Sequence, residues 1–253
     1  MIPKIIHYCW FGGNLLPELS KKCISSWKKY LPDYEIKEWN EQNFDLNSNQ
    51  YAREAFISKK WAFISDYVRL YVLYYFGGIY MDTDIEVIKN LDIFLRHKAF
   101  TGFEDNENIQ TGIMASEKEN KWIKKLLDYY KDKHFIKKNC QFDLTTNVRI
   151  ITNITLKNYN FKKNNTYQEL SDITIYPTEY FCPISFKNGK IKITNKTYCI
   201  HFYTGSWHSE SEKKLLNIRK KIYLFFGDNI FSKSIILFMK IPIKIIKMIL
   251  RKN

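Results

Sequence analysis

With 253 residues the chain has room for one sizeable α/β core plus appendages, and 40 Lys and Arg against 26 Asp and Glu leave it at +14. Nine of those charges sit after residue 210, where eleven Lys and Arg (213, 214, 219, 220, 221, 233, 240, 244, 247, 251, 252) meet only Glu212 and Asp228. So lopsided a distribution argues against nucleic-acid binding, which spreads basic residues over a groove, and favours a tail that meets anionic lipid.

Lys4 to Cys9 (KIIHYC) reads as a buried strand ending in Trp10-Phe11-Gly12-Gly13, a break where backbone can approach a ligand. Pro17-Glu18 opens a helix that runs to Tyr30 and stops at Leu31-Pro32. Tyr34 to Trp39 alternates apolar and charged residues as a second strand, and Tyr51 to Lys59 is a short helix. Trp61 to Phe76 (WAFISDYVRLYVLYYF) is a helix apolar on nearly every face, expected in the interior and stopped by Gly77-Gly78. Ile79 to Met81 leads as a strand into Asp82-Thr83-Asp84, and Ile85 to Ile88 resumes the apolar pattern. Further strands are expected at 99–103, 109–115, 173–176 and 197–203, with helices at 119–130 and 145–158. Helices alternating with strands point to an α/β fold with a mainly parallel central sheet.

Residues 230–250 are apolar but hold Lys233, Lys240, Lys244, Lys247 and Pro242, too many ammonium groups for a spanning helix. An amphipathic segment lying in the interface, its lysines snorkelling to headgroups, is the expectation. The rival is packing on the chain itself or on a partner. The five cysteines are odd in number and never spaced CxxC, which fits free buried thiols in a reducing cytoplasm. No secretory leader pattern opens the chain.

The chemistry concentrates in two places. Asp82 and Asp84, two apart after a strand, are expected to point to one side, where paired carboxylates suit a hard divalent cation such as Mn²⁺ or Mg²⁺. Without a cation or basic neighbour they would repel. Asp66 and Arg69, three apart on the apolar helix, share a face. An internal ion pair is the plain account. Arg is scarce here, six against 34 Lys, so a planar forked donor at this position suggests a further use.

The blocks IHYCWFGG, AFISDYVRLYVLYYFGGIYMDTDIE and HFYTGSW together resemble the family-32 glycosyltransferases. These include bacterial capsule and lipopolysaccharide enzymes with a DXD sugar-binding region, and are related to the glucosylating domains of large clostridial toxins. The resemblance implies a GT-A fold, a nucleotide-sugar donor, Mn²⁺ and transfer with retention of configuration. It implies that Trp10 stacks on the nucleobase, Asp66 and Arg69 grip the donor sugar, and Tyr80 packs against the donor. Asp82 and Asp84 hold the metal, and Ser206 and Trp207 close over the diphosphate. A late histidine completes the metal shell in related GT-A enzymes, a role open here to His201 or His208. No general base is assigned, and Gln110 and Asn147 are further polar residues near strand or helix ends.

The expectation is then a GT-A glycosyltransferase domain over 1–210 and a basic amphipathic helical tail over 211–253. It would take a hexosyl group from a nucleotide sugar, a UDP-sugar first, to a surface polysaccharide or lipid-linked glycan. The tail would hold it, cytoplasmic and peripheral, on the inner face of the plasma membrane. A metal-dependent phosphohydrolase or nucleotidyltransferase, and a catalytically degenerate carbohydrate-binding protein, are the rival readings.

Overall fold

The computed structural model describes residues 1–185, 188–205, 210–227, 230 and 234–236, with the backbone alone over 210–213. The chain forms two compact units, one of Met1–Pro183 with Lys192–Trp207 and one of Ile184–Ile191 with His208–Asn253. In the first unit the order is β1 (Ile5–Cys9), α1 (Glu18–Tyr30), β2 (Glu35–Trp39), α2 (Gln50–Ile57), α3 (Trp61–Phe76), β3 (Gly78–Met81) and β4 (Ile85–Val87). It continues through β5 (Ala99–Gly102), β6 (Ile113–Ser116), α4 (Lys121–Asp128), α5 (Asn147–Asn158), β7 (Gln168–Glu169), β8 (Thr174–Tyr176), α6 (Thr178–Phe181) and β9 (Cys199–His201).

Seven strands make one sheet in the order β2-β1-β3-β6-β5-β8-β7. β1 pairs in parallel with β2 and β3, and β5 with β8, whereas β6 runs against both its neighbours and β7 against β8. Five strands therefore share one direction and two reverse it. Both reversals follow from short connections. Phe103 bridges Ile109 across the β5–β6 loop, and a tight loop can join only antiparallel neighbours. The mostly parallel sheet foreseen from the helix–strand alternation is what forms, with β6 inserted against the grain.

Residues alternate across this sheet as a pleat requires. Tyr80 and Met114 face the cluster built on α3, α4 and α5, with Val68, Leu73, Trp122 and Ile151. Ile79, Met81, Ile113 and Ala115 face the opposite cluster, with Trp27, Phe94, Phe100 and Phe181. α3 is not interior throughout, since Tyr75 and Phe76 are exposed in its last turn.

The turn from α3 into β3 is held by glycine and by a buried histidine. Gly77 and Gly78 adopt φ of 68° and 104°, and a Cβ on Gly78 would lie 2.6 Å from the Ile5 carbonyl oxygen. His7 donates from Nε2 to the Gly77 carbonyl at 2.8 Å and accepts at Nδ1 from the Trp39 indole N–H at 3.1 Å. Burial drives its pKa down to about 4, so it serves as a neutral strut.

Several elements depart from the sequence expectation. The strand expected over 109–115 starts only at Ile113, and α4 starts at Lys121 because the Asn120 side chain caps it, accepting from the N–H groups of Trp122 and Ile123. α6 and β7 carry no apolar period long enough to announce them. β4 and β9 form a separate antiparallel pair, anchored to α1 where the Trp27 indole donates to the Ile85 carbonyl at 2.7 Å. All five cysteines are free, four of them buried, but Cys140 is exposed.

The second unit contains α7 (Glu210–Phe226) and a bridge between Ile184 and Ile191. On α7, Leu215, Ile218 and Phe225 are exposed at helical spacing, Phe225 to 86%. Among the described residues no helix is long and apolar enough to cross a membrane.

Candidate active site

Asp82 leaves the end of β3, its N–H donating to the Gly112 carbonyl at 2.8 Å. The two aspartates were expected to converge by strand alternation. They converge instead because residues 82–85 form a turn, closed by the Ile85 N–H donating to the Asp82 carbonyl at 3.0 Å. β4 begins directly after, and its register opposite β9 sets Ile85 against His201, while the Phe202 N–H donates to the Asp84 carbonyl at 3.1 Å. A short antiparallel pair thus carries a histidine from late in the chain to the second aspartate. Ligand atoms of Asp82, Asp84 and His201 all lie within 4.8 Å of one another.

The charges around this group are interlocked. His201 Nε2 is 3.4 Å from Asp84 Oδ1, and Asp84 Oδ2 accepts from both the N–H and the hydroxyl of Thr204, each at 2.9 Å. Burial alone would raise the Asp84 pKa, but the charge of His201, with the hydrogen bonds from His201 and Thr204, holds it well below the usual carboxylate range. Burial likewise opposes the charge on His201, and Asp84 outweighs it, raising the imidazole well above its ordinary value. Asp82 is raised by burial, with Arg69 pulling the other way and Asp84 adding to the rise. It accepts the Tyr80 hydroxyl at 3.0 Å.

Arg69 ties the Asp66 carboxylate to the Asp82–Asp84 pair. Its Nη2 lies 3.1 Å from Asp66 Oδ1 and 3.4 Å from Asp82 Oδ1. Nη1 donates to the Thr111 carbonyl at 2.6 Å, Nε to the Ser65 carbonyl at 3.2 Å, and the guanidinium stacks over the Tyr80 ring at 4.6 Å. Tyr80 is accordingly walled in, 1% exposed. Burial lifts the Asp66 pKa to about 6 against the pull of Arg69. Beside Asp66, the Asn147 amide lies against the carboxylate and pulls its pKa down, and the buried Tyr130 hydroxyl nearby makes no hydrogen bond. Buried polar atoms are rarely left so unless a ligand or water completes them.

Trp10 leaves β1 at the same sheet edge from which Asp82 leaves β3, since β1 and β3 are parallel neighbours with His7 opposite Tyr80. Its indole donates to the Asn14 carbonyl at 2.6 Å, and the Gly12 N–H donates to the Glu41 carboxylate at 3.2 Å. Gly12 is required where it stands, because a Cβ would lie 2.7 Å from the Trp61 ring. The loop around the tryptophan is therefore fixed. Ser206, Trp207 and His208 lie outside the described residues. A cavity of about 380 Å³ elsewhere in the first unit, walled by Phe94, Arg96, Tyr176, Tyr180 and Tyr198 among others, includes none of these candidates.

Of the sequence candidates, Asp66, Arg69, Tyr80, Asp82, Asp84 and His201 come together in one continuous set of contacts. Three residues that belong with them escaped the sequence reading. Thr204 holds Asp84. Gly112 leaves room for the His201 ring, for a Cβ there would lie 2.8 Å from Cε1. Glu104 is a buried carboxyl whose pKa burial raises to about 7, with His201 and Asp82 among its charged neighbours. Glu104 follows an apolar strand as Asp82 does, and a glycine inside the apolar run 109–115 signals close approach, so both were within reach of a sequence argument.

Residues 17–101 match the family described as "Glycosyltransferase sugar-binding region containing DXD motif". "Inositol phosphoceramide mannosyltransferase 3" of Schizosaccharomyces pombe is 29% identical over 126 residues, 45% of this chain and 33% of that protein. The match thus spans about a third of such a relative. "Uncharacterized glycosyltransferase L373" of Acanthamoeba polyphaga mimivirus is 25% identical over 198 residues, 75% of this chain and 76% of its own length. Among solved structures, the apo form of the glycosyltransferase GlyE from Streptococcus pneumoniae TIGR4 matches with a TM-score of 0.50 and 13% identity, covering 92% of this chain and 64% of that one. That likeness is one of fold, and the fold is the GT-A arrangement the resemblance implied.

Proposed function

From the premise that residues 17–101 carry a glycosyltransferase sugar-binding region with its DXD motif, we propose that the protein transfers a hexosyl group from a nucleotide sugar, in the first place a UDP-sugar, to a glycan or lipid-linked acceptor. The observation that carries this reading is the convergence of Asp82, Asp84 and His201 at the sheet edge shared with Trp10. Two carboxylates and an imidazole are a donor set suited to Mn²⁺, and to Mg²⁺ less well. An ion held there would neutralise charge on the departing diphosphate.

The chain's own residues do the rest. Trp10, on a loop pinned by Glu41 and Trp61, offers a flat face to the nucleobase. Asp66, with the Asn147 amide against it, would accept from sugar hydroxyls. Arg69 keeps Asp66 and Asp82 in register and supplies positive charge beside the reacting centre. No side chain is assigned as nucleophile, and retention by front-face displacement relies on such positioning and electrostatics. Ser206 and Trp207 would close over the diphosphate. A two-metal hydrolase needs a second ligand group, and among the described residues the Asp82–Asp84–His201 group stands alone.

The acceptor belongs to capsule or lipopolysaccharide synthesis on this reading. The exposed apolar face of α7, flanked by exposed Lys214 and Lys221, supports docking of the 211–253 tail on the inner face of the plasma membrane. To test the activity, UDP-glucose, UDP-galactose and GDP-mannose are incubated with the protein and Mn²⁺, and sugar release is measured. At least one donor should turn over, and Asp84→Asn or chelation of the metal should lower the rate by about 10²-fold or more. Turnover that persists unchanged in Asp84→Asn would exclude the mechanism.

A further inference from the structure

The cavity of about 380 Å³ that holds none of the reaction's residues is walled largely by tyrosine. Its place follows from the fold. Tyr176 ends β8, Tyr180 lies on α6 and Tyr198 immediately precedes β9, and all three close on the buried Phe94. Phe94 meets Tyr176 and Tyr198 edge-on, with centroids 5.0 and 4.8 Å apart. Tyr176 is anchored from behind, its hydroxyl 2.7 Å from Nε2 of the buried His97, whose Nδ1 is 3.1 Å from the Thr174 hydroxyl. The floor is therefore set before any ligand arrives. The rings above it are inclined, Tyr167 at 71° and Tyr180 at 48° to Tyr176. Tyr180 and Tyr198 lie parallel with centroids 6.2 Å apart, too near for a planar base to enter between them. Among the described residues the hydroxyls of Tyr180 and Tyr198 make no hydrogen bond, and Arg96, exposed on the wall, has neither a hydrogen bond nor an ion pair. Glu179 and Lys196 sit together at 3.1 Å, an acceptor beside a donor.

We propose that this cavity is a second saccharide-binding site and takes an acidic sugar, its pyranose ring against the tyrosines and its carboxylate or phosphate on Arg96. The C–H bonds of a sugar ring meet the negative face of an aromatic ring favourably, and a bowl of inclined rings suits a puckered pyranose better than a flat base. Free hydroxyls and the Glu179–Lys196 pair match the donors and acceptors of sugar hydroxyls. An unpaired guanidinium is the forked donor that a carboxylate or phosphate calls for. Tyr198 and His201 are three residues apart at the two ends of β9, roughly 10 Å along a strand, so a glycan held here stays within a short oligosaccharide's reach of the reacting centre. That role, holding the acceptor chain, rests on the glycosyl transfer proposed above; the binding does not.

Saturation-transfer NMR on the full chain, without metal or donor, tests it with methyl glucuronoside, methyl glucoside and UMP as probes. The glucuronoside should bind about five- to tenfold tighter than the glucoside, and Arg96→Gln should bring the two level. Arg96 is exposed, so the melting temperature should not change. Tyr167→Ala, at a position 48% exposed, should weaken both sugars. Sugar binding that neither variant alters, or no sugar binding at all, overturns the proposal. So does inorganic phosphate that displaces the glucuronoside at equal concentration, which would make Arg96 a plain anion site. UMP binding that falls in Arg96→Gln would make the cavity a nucleotide site and overturn it equally. Donor hydrolysis should be the same in Arg96→Gln as in the unaltered protein. Absence of donor turnover by the unaltered protein would remove the acceptor role and leave the saccharide site standing.

Discussion

His201 and Asp84 illustrate how two buried charges can hold each other in place and still serve an ion. The two form a buried ion pair, the imidazole raised and the carboxylate depressed by each other against the burial of both. A cation binding at Nε2 must displace the proton held there. Because the imidazole pKa is raised well above its ordinary value, that proton is present at neutral pH, and its release makes binding pH-dependent. The sign is definite: Mn²⁺ affinity should rise with pH, by about tenfold per unit while the pH stays below the raised pKa. Asp84, already ionised, adds nothing to the slope. Titrations at pH 6, 7 and 8 check this, and a flat profile would mean that His201 is not displaced from its proton by the ion. Asp82, Asp84, Asp66 and Arg69 could be named from the sequence because local spacing announces them. Thr204 could not, because it acts through a contact 120 residues away along the chain.

At the scale of elements, the turn between α3 and β3 decides whether the carboxylates arrive where Arg69 can reach them. Arg69 sits on the helix and Asp82 follows the strand, so the distance between them is set by Gly77 and Gly78 and by the His7 strut beneath. Gly78→Ala would place a Cβ on the Ile5 carbonyl and force a side chain into φ 104°, and it should destabilise the fold by at least about 2 kcal/mol. Denaturant unfolding measures this, and a change within a few tenths of a kcal/mol would show that the turn relaxes freely. The same turn explains why the first half of the fold was legible. β1, α1, β2, α3 and β3 have apolar periods bounded by Gly or Pro, and the structure reproduces them to within a residue or two. β6 was read as too long and its direction was not foreseen, because a hairpin depends on a loop that no periodicity marks. β9 was located, but not its pairing with β4, which is the contact that delivers His201.

For the whole molecule the question is why a chain this size concentrates nine of its fourteen net charges beyond residue 210. Drift toward lysine would scatter them along the chain. Apolar residues set among the lysines suggest a surface that is both sticky and cationic. On α7, Leu215, Ile218 and Phe225 recur at spacings of three and seven, exposed on one side of the helix. Such a face gains from apolar burial in the headgroup boundary and from attraction of each lysine to anionic lipid, about 1 kcal/mol per basic residue near the surface. The two contributions separate experimentally. The protein should sediment with vesicles containing phosphatidylglycerol and far less with pure phosphatidylcholine, and raising the salt should release a part of it. Replacing Leu215, Ile218 and Phe225 together by Ser should abolish the salt-resistant part while leaving donor hydrolysis by the first unit intact. Equal sedimentation of the wild type and the triple variant would assign the attachment to charge alone, and no sedimentation of either would remove the membrane from the account.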